Sequence, residues 1–426
     1  MSVASISLDF LGSQSPEGLV LLFWYTIFLE IPRYACGFAA LGVGAASAER
    51  RAAKGGHTSL AVRPTVSVIV VGHNEAGSLE RCLRSLREQT LAPSQVVVVS
   101  DGSSDGMPAL AASLARRGLV QHAIATDLRS GKSAGFNLAL GACTGDIVVN
   151  VDCDCSYDRF ALESIVAPFA DPRTGAVSGD IAARNGYASL TARLQEIEYL
   201  VSISVGRRVA TGLNQVSCIS GAFGAFRRTA LERAGGADVG GGEDLDLTLR
   251  LRAAGWRIAF APDAVCYTDV PPRLGQLVRQ RLRWERDAIR LRLRKHRRSL
   301  AMPGHRGAFA EAAHQWDFLV FELAATAVFP VYLAWLFALY GGMALPILVA
   351  MQAGLLLLDT AVLALAGLTV PRGVPLGSLL YLPAYSVYTG WVMRPVRLLA
   401  FVQEWFLFLS RNDNYVPAKA RLIRKW

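Results

Sequence analysis

The hydropathy of this 426-residue chain separates a polar central region from apolar blocks on both sides of it. One apolar block runs from about Gly18 to Ala46, and further blocks follow about Trp316. These blocks account for a hydrophobic fraction of 52% and a mean hydropathy of +0.32, both high for a soluble domain. Because about 20 consecutive apolar residues can cross a bilayer as a helix, the chain is expected to combine a globular domain with membrane helices.

Basic residues predict how the first apolar block is oriented. Arg50, Arg51 and Lys54 follow it directly. Since basic residues are retained on the cytoplasmic side, residue 50 is expected in the cytoplasm and the N-terminus outside. The block is longer than the apolar part of a cleaved signal peptide and lacks a basic start, so it is expected to stay in the protein.

The C-terminal apolar blocks predict further crossings. Trp316 to Tyr340 and Met343 to Leu368 are each long enough to span a bilayer, with only a tight turn between them. A third segment, Leu379 to Leu409, is interrupted by Arg394 and Arg397, so a re-entrant segment, an interfacial segment and a further crossing all stay open. The basic tail is expected in the cytoplasm and carries Lys419, Arg421, Arg424 and Lys425.

Some ionisable residues lie inside these apolar blocks, where an unpaired charge is costly. Glu30 and Arg33 are about one helical turn apart. They are expected either to compensate each other or to indicate a helix nearer the membrane interface, and a functional role is a further alternative. Asp359 is expected to face other protein or water rather than lipid.

The polar region alternates apolar strands with amphipathic helices. Residues 65–71, 96–100 and 146–151 predict three strands, and helices are predicted over about 76–89 and 108–117. Continuous apolar strands alternating with helices are typical of a parallel α/β sheet that is covered on both faces.

Polar residues stand where each of these strands ends. Asn74 and Glu75 follow the first strand, Asp101 ends the second and Asp152 follows the third. Ligands of such sheets bind beyond the carboxyl ends of the strands. Each residue also has an ordinary interpretation as a helix cap or a turn residue. Their common position favours a nucleotide pocket.

The third strand leads into a DxD motif, Asp152-Cys153-Asp154. A lone DxD on a surface is common and says little. At the end of a buried strand, two carboxylates can hold Mg²⁺ or Mn²⁺ against the phosphates of a nucleotide. Lys132, after Ser130-Gly131, offers a cation for the same phosphates or is simply a solvated side chain.

An acidic pair, Glu243-Asp244, follows three glycines and begins a predicted helix. Acidic residues there stabilise the helix through its dipole. A carboxylate there can also act as a general base towards an attacking hydroxyl, which accelerates a reaction by about 10²–10⁴-fold. Asp244 is the preferred base and Glu243 the alternative.

A strongly basic helix with an apolar stripe is predicted over residues 272–300. It suits the cytoplasmic interface of a membrane, and the stripe disfavours a nucleic-acid arm. Within it, Gln280 and Arg283 can hydrogen-bond a diphosphate, and Trp284 can stack on a sugar ring. The alternative is an interfacial tryptophan flanked by basic residues.

Charge and cysteine content exclude other classes. The formal net charge is +10, but the basic residues crowd beside the apolar blocks, which favours a membrane protein with no nucleic-acid partner. The seven cysteines show no CxxC spacing and leave one over, so they predict reduced thiols, with neither a disulfide framework nor a zinc site.

Taken in order, these motifs resemble the membrane-bound processive members of glycosyltransferase family 2, the group of cellulose, chitin, hyaluronan and poly-N-acetylglucosamine synthases. The motifs are Asp101, Asp152-x-Asp154, Glu243-Asp244 and Gln280-x-x-Arg283-Trp284. The resemblance implies an α/β GT-A (Rossmann-like) domain in the cytosol, an α-helical transmembrane region with interfacial amphipathic helices, a UDP-sugar donor and a Mg²⁺ or Mn²⁺ cofactor.

The resemblance also implies roles for individual residues. Asn74, Glu75, Asp101, Lys132, Asp152, Gln280 and Arg283 would bind the nucleotide sugar, Asp152 and Asp154 the metal, and Trp284, Gly221 and Phe223 the acceptor. Asp244 would be the general base, with Glu243 beside it.

These expectations divide the chain into four parts: an N-terminal transmembrane helix (1–47), the GT-A domain (48–271), the interfacial helix (272–300), and C-terminal transmembrane helices with a basic tail (301–426). We expect an inverting, multi-pass enzyme of the inner membrane that extends a β-linked polysaccharide from UDP-glucose or UDP-N-acetylglucosamine. Its expected partners are the polysaccharide, the lipid bilayer and accessory export subunits. Two alternatives stay open, a transferase that adds a single sugar to a lipid or glycan and a nucleotide-sensing membrane transporter.

Overall fold

The structure is a computed structural model that describes residues 9–35, 64–212, 215–300 and 308–412. Three sequence predictions lie outside these residues. They are the end of the first apolar block, the linker that carries Arg50, and the basic tail after residue 412.

The described residues include eight strands and the α-helices whose bounds follow. The strands are β1 (Val66–Gly72), β2 (Gln95–Asp101), β3 (His122–Thr126), β4 (Ile147–Asp152), β5 (Ser156–Tyr157), β6 (Thr174–Ala183), β7 (Phe223–Arg227) and β8 (Arg257–Thr268). The helices are α1 (Pro16–Leu22), α2 (Ala76–Arg87), α3 (Met107–Arg116), α4 (Lys132–Ala142), α5 (Ala161–Val166), α6 (Leu190–Tyr199), α7 (Gly206–Gly212), α8 (Arg228–Ala234), α9 (Glu243–Ala253), α10 (Leu274–Arg290), α11 (Ala308–Asp317), α12 (Ala325–Tyr340), α13 (Ala344–Thr369), α14 (Leu382–Val387) and α15 (Arg394–Leu407). Short π-helical segments cover Thr26–Glu30, Leu200–Val205, Leu291–Lys295, Phe318–Ala324 and Tyr388–Met393, and 3₁₀ turns cover Ala167–Ala170, Arg297–Leu300, Gly341–Met343, Leu376–Tyr381 and Leu409–Asn412.

The eight strands form one mixed sheet in the order β3-β2-β1-β4-β7-β6-β8-β5. Strands β1 to β4 are parallel, as the sequence predicts. The expectation of a wholly parallel sheet is wrong, because β7 is antiparallel to both β4 and β6. Strand β7 has the sequence Phe-Gly-Ala-Phe-Arg, without a β-branched residue, so its sequence gives little strand signal. Strand β3 also lies outside the prediction because it is a partly exposed edge strand.

Helices cover both faces of the sheet, and the alternating side chains of β1 divide between them. Val68 and Val70 pack into the cluster that contains residues of α2 and α3. Ile69 and Val71 pack into the opposite cluster with residues of α4 and α9. Each such valine stabilises the fold by about 1.5–3 kcal/mol when it is fully buried. This two-sided burial fixes the strand ends, and with them the polar residues that follow.

The apolar segments at the two ends of the chain pack against each other. Residues of α1, α12 and α13 share one hydrophobic cluster, and the Tyr25 hydroxyl donates to the Ala325 carbonyl at 3.0 Å. Within the described ranges, His314–Thr369 is the one continuous helical stretch long and apolar enough to cross a membrane. The bent pair Pro16–Leu22 and Thr26–Ala35, with 72° between its helices, would add a second if both parts form one span. The number and orientation of crossings therefore stay predictions.

The ionisable residues of these apolar segments find partners far away in the sequence. Glu30 pairs with Arg394, and Arg33 pairs with Glu322 at 2.6 Å. The expected compensation between Glu30 and Arg33 is therefore wrong, because each side chain turns towards a C-terminal helix instead. Asp359 accepts a hydrogen bond from the Tyr34 hydroxyl at 2.7 Å, so it faces protein as expected.

The predicted basic helix consists of α10 followed by a π-helical segment and a 3₁₀ turn. Several of its cations bind carboxylates of the protein. Arg281 pairs with Glu198 at 2.9 Å, and Arg294 pairs with Glu404 at 2.7 Å. Much of its charge therefore stabilises packing between elements, while its place at a membrane interface stays a prediction.

Asp246 joins the end of this basic segment to α9. Its side chain is fully buried and contacts Arg250 at 2.8 Å, Lys295 at 2.9 Å and His296 at 2.8 Å. Burial would raise the pKa of Asp246, but the hydrogen bond from His296 and the charges of Arg250 and Lys295 outweigh it and lower the pKa to about 2. The ionised carboxylate is therefore part of the folded structure.

We predict that Asp246→Asn lowers the thermal unfolding midpoint by about 5–10 °C, because breaking a buried ion pair costs about 3–5 kcal/mol. The matched control is Asp238→Asn, which removes a carboxylate 2.6 Å from Lys295 that is 46% exposed and is expected to change little. Because the pKa of Asp246 is lowered on folding, its stabilisation is full above the unfolded value near 4 and is lost as the pH falls towards about 2. Equal midpoints for the two variants would contradict this role.

Candidate active site

The residues after β1 and β2 form hydrogen bonds that fix neighbouring loops. Asn74 adopts a left-handed conformation (φ 59°), and its side-chain oxygen accepts from the Ser104 amide at 2.7 Å. Asp101 is buried, and its two carboxylate oxygens accept from the amides of Ser130 and Gly131, both at 2.7 Å. Asp101 therefore holds the loop that leads to Lys132, and its predicted contact with a nucleotide stays a prediction.

Glu75 lies beside the DxD motif. Burial raises the pKa of Glu75, and the charges of Asp154 and Asp152 add to the shift. The shift therefore reflects the negative potential that the DxD carboxylates create at this edge of the sheet.

Asp152 is the last residue of β4 and Asp154 follows it, so the motif lies at the strand end as predicted. Atoms of their carboxylates lie within 4.8 Å of each other, so the pair fits one divalent cation. The intervening Cys153 is buried and packs into the core below α2 and α3. The side chain of Asp152 stays 33% exposed, which leaves it open to a ligand from solvent.

Lys132 lies at the centre of the site rather than on the surface. Its ammonium group contacts the Asp152 carboxylate at 2.5 Å, the Gly221 carbonyl at 2.9 Å and the Glu243 carboxylate at 3.6 Å. Burial alone would lower the pKa of Lys132, but the charges of Asp152 and Glu243 outweigh it and raise the pKa. The side chain is therefore cationic, and its predicted contact with a diphosphate stays a prediction.

Gly221 is the point at which these groups approach one another. A Cβ atom there would lie 3.1 Å from Lys132 Nζ, 3.3 Å from Asp244 Oδ2 and 3.5 Å from Glu243 Oε1. The predicted acceptor segment thus reaches the site through Gly221. The structure does not place Phe223 there, because its side chain is fully buried and packs on Tyr157 with ring centroids 4.8 Å apart. The expectation of an acceptor contact from Phe223 does not fit this position.

Glu243 and Asp244 occupy the first turn of α9, after Gly242 in a left-handed conformation (φ 67°). Asp244 accepts hydrogen bonds from the amide of Gly221 at 3.2 Å and from the amide of Leu245 at 2.8 Å. Burial raises the pKa of Glu243 to about 7, although the charge of Lys132 opposes the shift. Two neighbouring carboxyl groups thus have different environments, one held by backbone amides and one paired with an ammonium group.

Helix α10 brings the Gln-x-x-Arg-Trp motif towards the same region. Gln280, Arg283 and Trp284 share a helical face with Asp287, since they are three or four residues apart. Asp287 packs against the glycines before Glu243, where a Cβ on Gly241 would lie 2.5 Å from its carboxylate. Asp287 therefore links this face of α10 to the loop before the acidic pair, and the contact of Gln280, Arg283 and Trp284 with a ligand stays a prediction.

Asn150 is a residue of the site that sequence reasoning missed. Together with Lys132, Gly221, Glu243 and Asp244 it lines a small cavity whose other walls are mostly apolar. Its side-chain nitrogen donates to the Gly221 carbonyl at 2.8 Å, while its buried side-chain oxygen has no partner. The sequence signal that could have identified Asn150 is its position as a polar residue in the interior of the apolar strand β4.

The family assignment follows from residues 64–286, which match the profile described as "Glycosyltransferase like family 2". The chain belongs to this family. The match covers slightly more than half of the chain and contains every predicted site residue.

Two curated relatives are similar over the family 2 domain. An N-acetylglucosaminyltransferase of Rhizobium meliloti is 31% identical over 240 residues, 53% of this chain and 56% of that protein. A poly-beta-1,6-N-acetyl-D-glucosamine synthase of Staphylococcus aureus is 29% identical over 233 residues, 54% of this chain and 56% of that protein. This chain thus aligns with little more than half the length of the curated relatives.

A solved structure is similar over more of the chain. It is a mannosyltransferase of Pyrobaculum calidifontis in complex with GDP-Man and Mn²⁺, with 25% identity and a TM-score of 0.57. The similarity covers 88% of this chain and 99% of that one. Together with the family 2 match, it confirms a GT-A-like fold with a mixed sheet.

We predict that Gly221→Ala lowers the rate of sugar transfer by about 10-fold or more, because its methyl group would displace catalytic groups by tenths of an ångström. Gly77→Ala in α2 is the control, since a Cβ there meets nothing within 4 Å. The measurement is the initial rate of nucleotide release, with thermal midpoints to verify folding. Full activity of Gly221→Ala would show that this close approach is unimportant.

Proposed function

We propose that this chain is an inverting glycosyltransferase that adds N-acetylglucosamine from a UDP-sugar to a growing β-linked polysaccharide. The relatives named as N-acetylglucosaminyltransferase and poly-beta-1,6-N-acetyl-D-glucosamine synthase support the choice of sugar over glucose. They support a polymer product for the same reason.

The observation that carries the proposal is the convergence of Lys132, Asp152, Glu243 and Asp244 around Gly221. A cation-binding carboxylate, an ammonium group and an acidic pair lie within one cluster at the strand ends. Transfer from a nucleoside diphosphate sugar needs a positive charge for the departing diphosphate and a carboxylate for the incoming hydroxyl. This cluster offers both.

In the proposed reaction, the acceptor hydroxyl oxygen forms a bond to the anomeric carbon while the bond from that carbon to the diphosphate breaks. The hydroxyl proton passes to Asp244, and UDP leaves with the bonding electrons. Attack from the side opposite the diphosphate inverts the anomeric centre. The amides of Gly221 and Leu245 orient the Asp244 carboxylate for this role.

Glu243 is the second candidate for the base. Its pKa of about 7 suits proton transfer at neutral pH. Its carboxylate, however, lies 3.6 Å from Lys132, on the side of the cluster that contacts Asp152. We therefore assign Glu243 to pairing with the Lys132 ammonium group and Asp244 to proton transfer.

The diphosphate and the cofactor would be held by residues already in the cluster. Asp152 and Asp154 would hold Mg²⁺ or Mn²⁺, which neutralises the charge that develops on the departing diphosphate. Lys132 supplies a fixed positive charge, and Gln280 and Arg283 add hydrogen-bond donors from α10. Asn74, Glu75 and Asp101 lie at the strand ends where the nucleoside would bind. Trp284, 38% exposed, offers a face for the acceptor sugar.

The helices outside the family 2 domain are assigned to the membrane. We propose a multi-pass protein of the inner membrane, with the catalytic domain in the cytoplasm and synthesis coupled to polymer export. The apolar stretch His314–Thr369 supports this assignment. Accessory export subunits complete the proposed set of partners.

The first alternative is a transferase that adds one sugar to a lipid or glycan acceptor. The same cluster would catalyse it, so product length alone separates it from a polymerase. A nucleotide-sensing transporter, the remaining alternative, gives no reason for the acidic pair beside Lys132.

We predict that the purified chain, in detergent with Mn²⁺ or Mg²⁺, releases UDP from UDP-N-acetylglucosamine faster than from UDP-glucose or GDP-mannose. Asp244→Asn is expected to lower the rate by about 10²–10⁴-fold, because the proton acceptor is lost. Asp238→Asn, an exposed acid a few residues earlier, is the matched control and should keep its activity.

Product size then decides between the proposed functions. High-molecular-weight product when acceptor exceeds enzyme supports a processive polymerase, whereas a single added sugar supports the first alternative. Nucleotide binding without turnover of any donor, in folded protein supplied with acceptor, would contradict the enzyme assignment. Full activity of Asp244→Asn would contradict its role as the general base and would favour Glu243 instead.

A further inference from the structure

A buried thiol lies directly against the DxD carboxylates. Cys155 is fully buried, and its sulfur lies 3.4 Å from an oxygen of Asp154. One ligand atom from each of Asp152, Asp154 and Cys155 can be chosen so that all three lie within 4.8 Å of one another. Among the described residues, this is the only such group of three or more histidine, cysteine, aspartate or glutamate side chains.

The backbone positions this thiol by a tight turn. The Cys155 amide donates to the Asp152 carbonyl at 3.2 Å, which brings residue 155 back beneath the end of β4. The exposed carboxylate of Asp152 is on the solvent side, and the thiol is on the protein side. A cation that enters between the carboxylates would therefore meet sulfur behind them.

The neighbouring thiols do not share this arrangement. The sulfur of Cys153 is 3.9 Å from the Glu75 carbonyl, and that of Cys82 is 3.7 Å from the Asp152 carbonyl. Cys266 lies on β8, which pairs with β5 just after Cys155, and its thiol contacts the Cys155 thiol rather than a DxD carboxylate. Cys153 is therefore a close control, because it is a buried thiol of the same motif that faces elsewhere.

We infer that Cys155 is a third protein ligand of the divalent cation that Asp152 and Asp154 hold, an inference that rests on the proposed cation-dependent function. Metal binding displaces the thiol proton to solvent, and the resulting thiolate completes a two-oxygen, one-sulfur set. Mg²⁺ prefers oxygen ligands, whereas thiolates favour softer ions. The site therefore favours Mn²⁺, Co²⁺, Zn²⁺ or Cd²⁺ relative to Mg²⁺.

The test is optical titration of the purified full-length chain with Co²⁺ in the absence of nucleotide. A bond between sulfur and Co²⁺ gives a charge-transfer band in the near ultraviolet, which oxygen ligands alone do not. We expect this band in the wild-type protein and in Cys153→Ser. We expect its loss in Cys155→Ser, together with a rise of about 10–100-fold in the Kd for Cd²⁺. The Kd for Mg²⁺ should stay nearly unchanged.

Several outcomes would overturn the inference. Saturable Co²⁺ binding to wild-type protein without a sulfur band would do so, whether or not Cys155→Ser folds. So would a band that survives in Cys155→Ser and disappears in Cys153→Ser or Cys266→Ser. Asp154→Asn is a further comparison, because it leaves the thiol in place. It should weaken the binding of Co²⁺ and Mg²⁺ alike, whereas Cys155→Ser should weaken the binding of the softer ions and leave that of Mg²⁺ nearly unchanged.

This experiment is separable from the test of the proposed function. Co²⁺ binding needs neither donor nor acceptor, so inactivity with every donor would not remove the expected band. Turnover with Mg²⁺ or Mn²⁺ in a protein that lacks the band would overturn the role of Cys155 alone.

Discussion

The contacts of the Lys132 ammonium group hold together the parts of this site that are far apart in the sequence. Lys132 begins α4, Asp152 ends β4, Gly221 precedes β7, and Glu243 begins α9. Several negative groups so close together would repel one another without a cation between them. The ammonium group therefore permits the approach of strand, loop and helix on which the candidate chemistry depends.

A second buried charge connects this site to the basic helix. Asp246 lies in the same first turn of α9 as the acidic pair and binds Lys295 and His296, at the end of the segment that begins with α10. Helix α10 also packs along α15 of the C-terminal region, where Arg397 pairs with Glu285 at 3.0 Å. Through α10, these contacts connect the C-terminal helices to the loop before Glu243, where Arg290 donates to the Gly241 carbonyl at 2.7 Å. The coupling of catalysis to export stays a proposal.

The sequence predicted what depends on local pattern. The apolar strands β1, β2 and β4 and the polar residues at their ends were identified because period and turn chemistry are local properties. The antiparallel strand β7 was not, since its pairing depends on contacts between distant residues. The acceptor role of Phe223 came from the family resemblance, whereas its side chain packs in the core against Tyr157. The position of Lys132 between Asp152 and Glu243 also could not be predicted from local motifs, because these residues are far apart in the sequence.

Charges inside the apolar segments illustrate the same limit. Proximity in the sequence suggested that Glu30 and Arg33 compensate each other, yet both bind residues about 300 or more positions away. An ion pair between neighbours on one helix would satisfy charge without fixing how helices pack. Pairs between the N-terminal and C-terminal segments satisfy the same charges and also fix which helices pack together. In a surrounding of low polarity this preference is strong, because a charge whose partner moves away has no water to replace it. The Glu30–Arg394 and Arg33–Glu322 pairs therefore specify the assembly of the helical region, which apolar surfaces alone would leave free to slide.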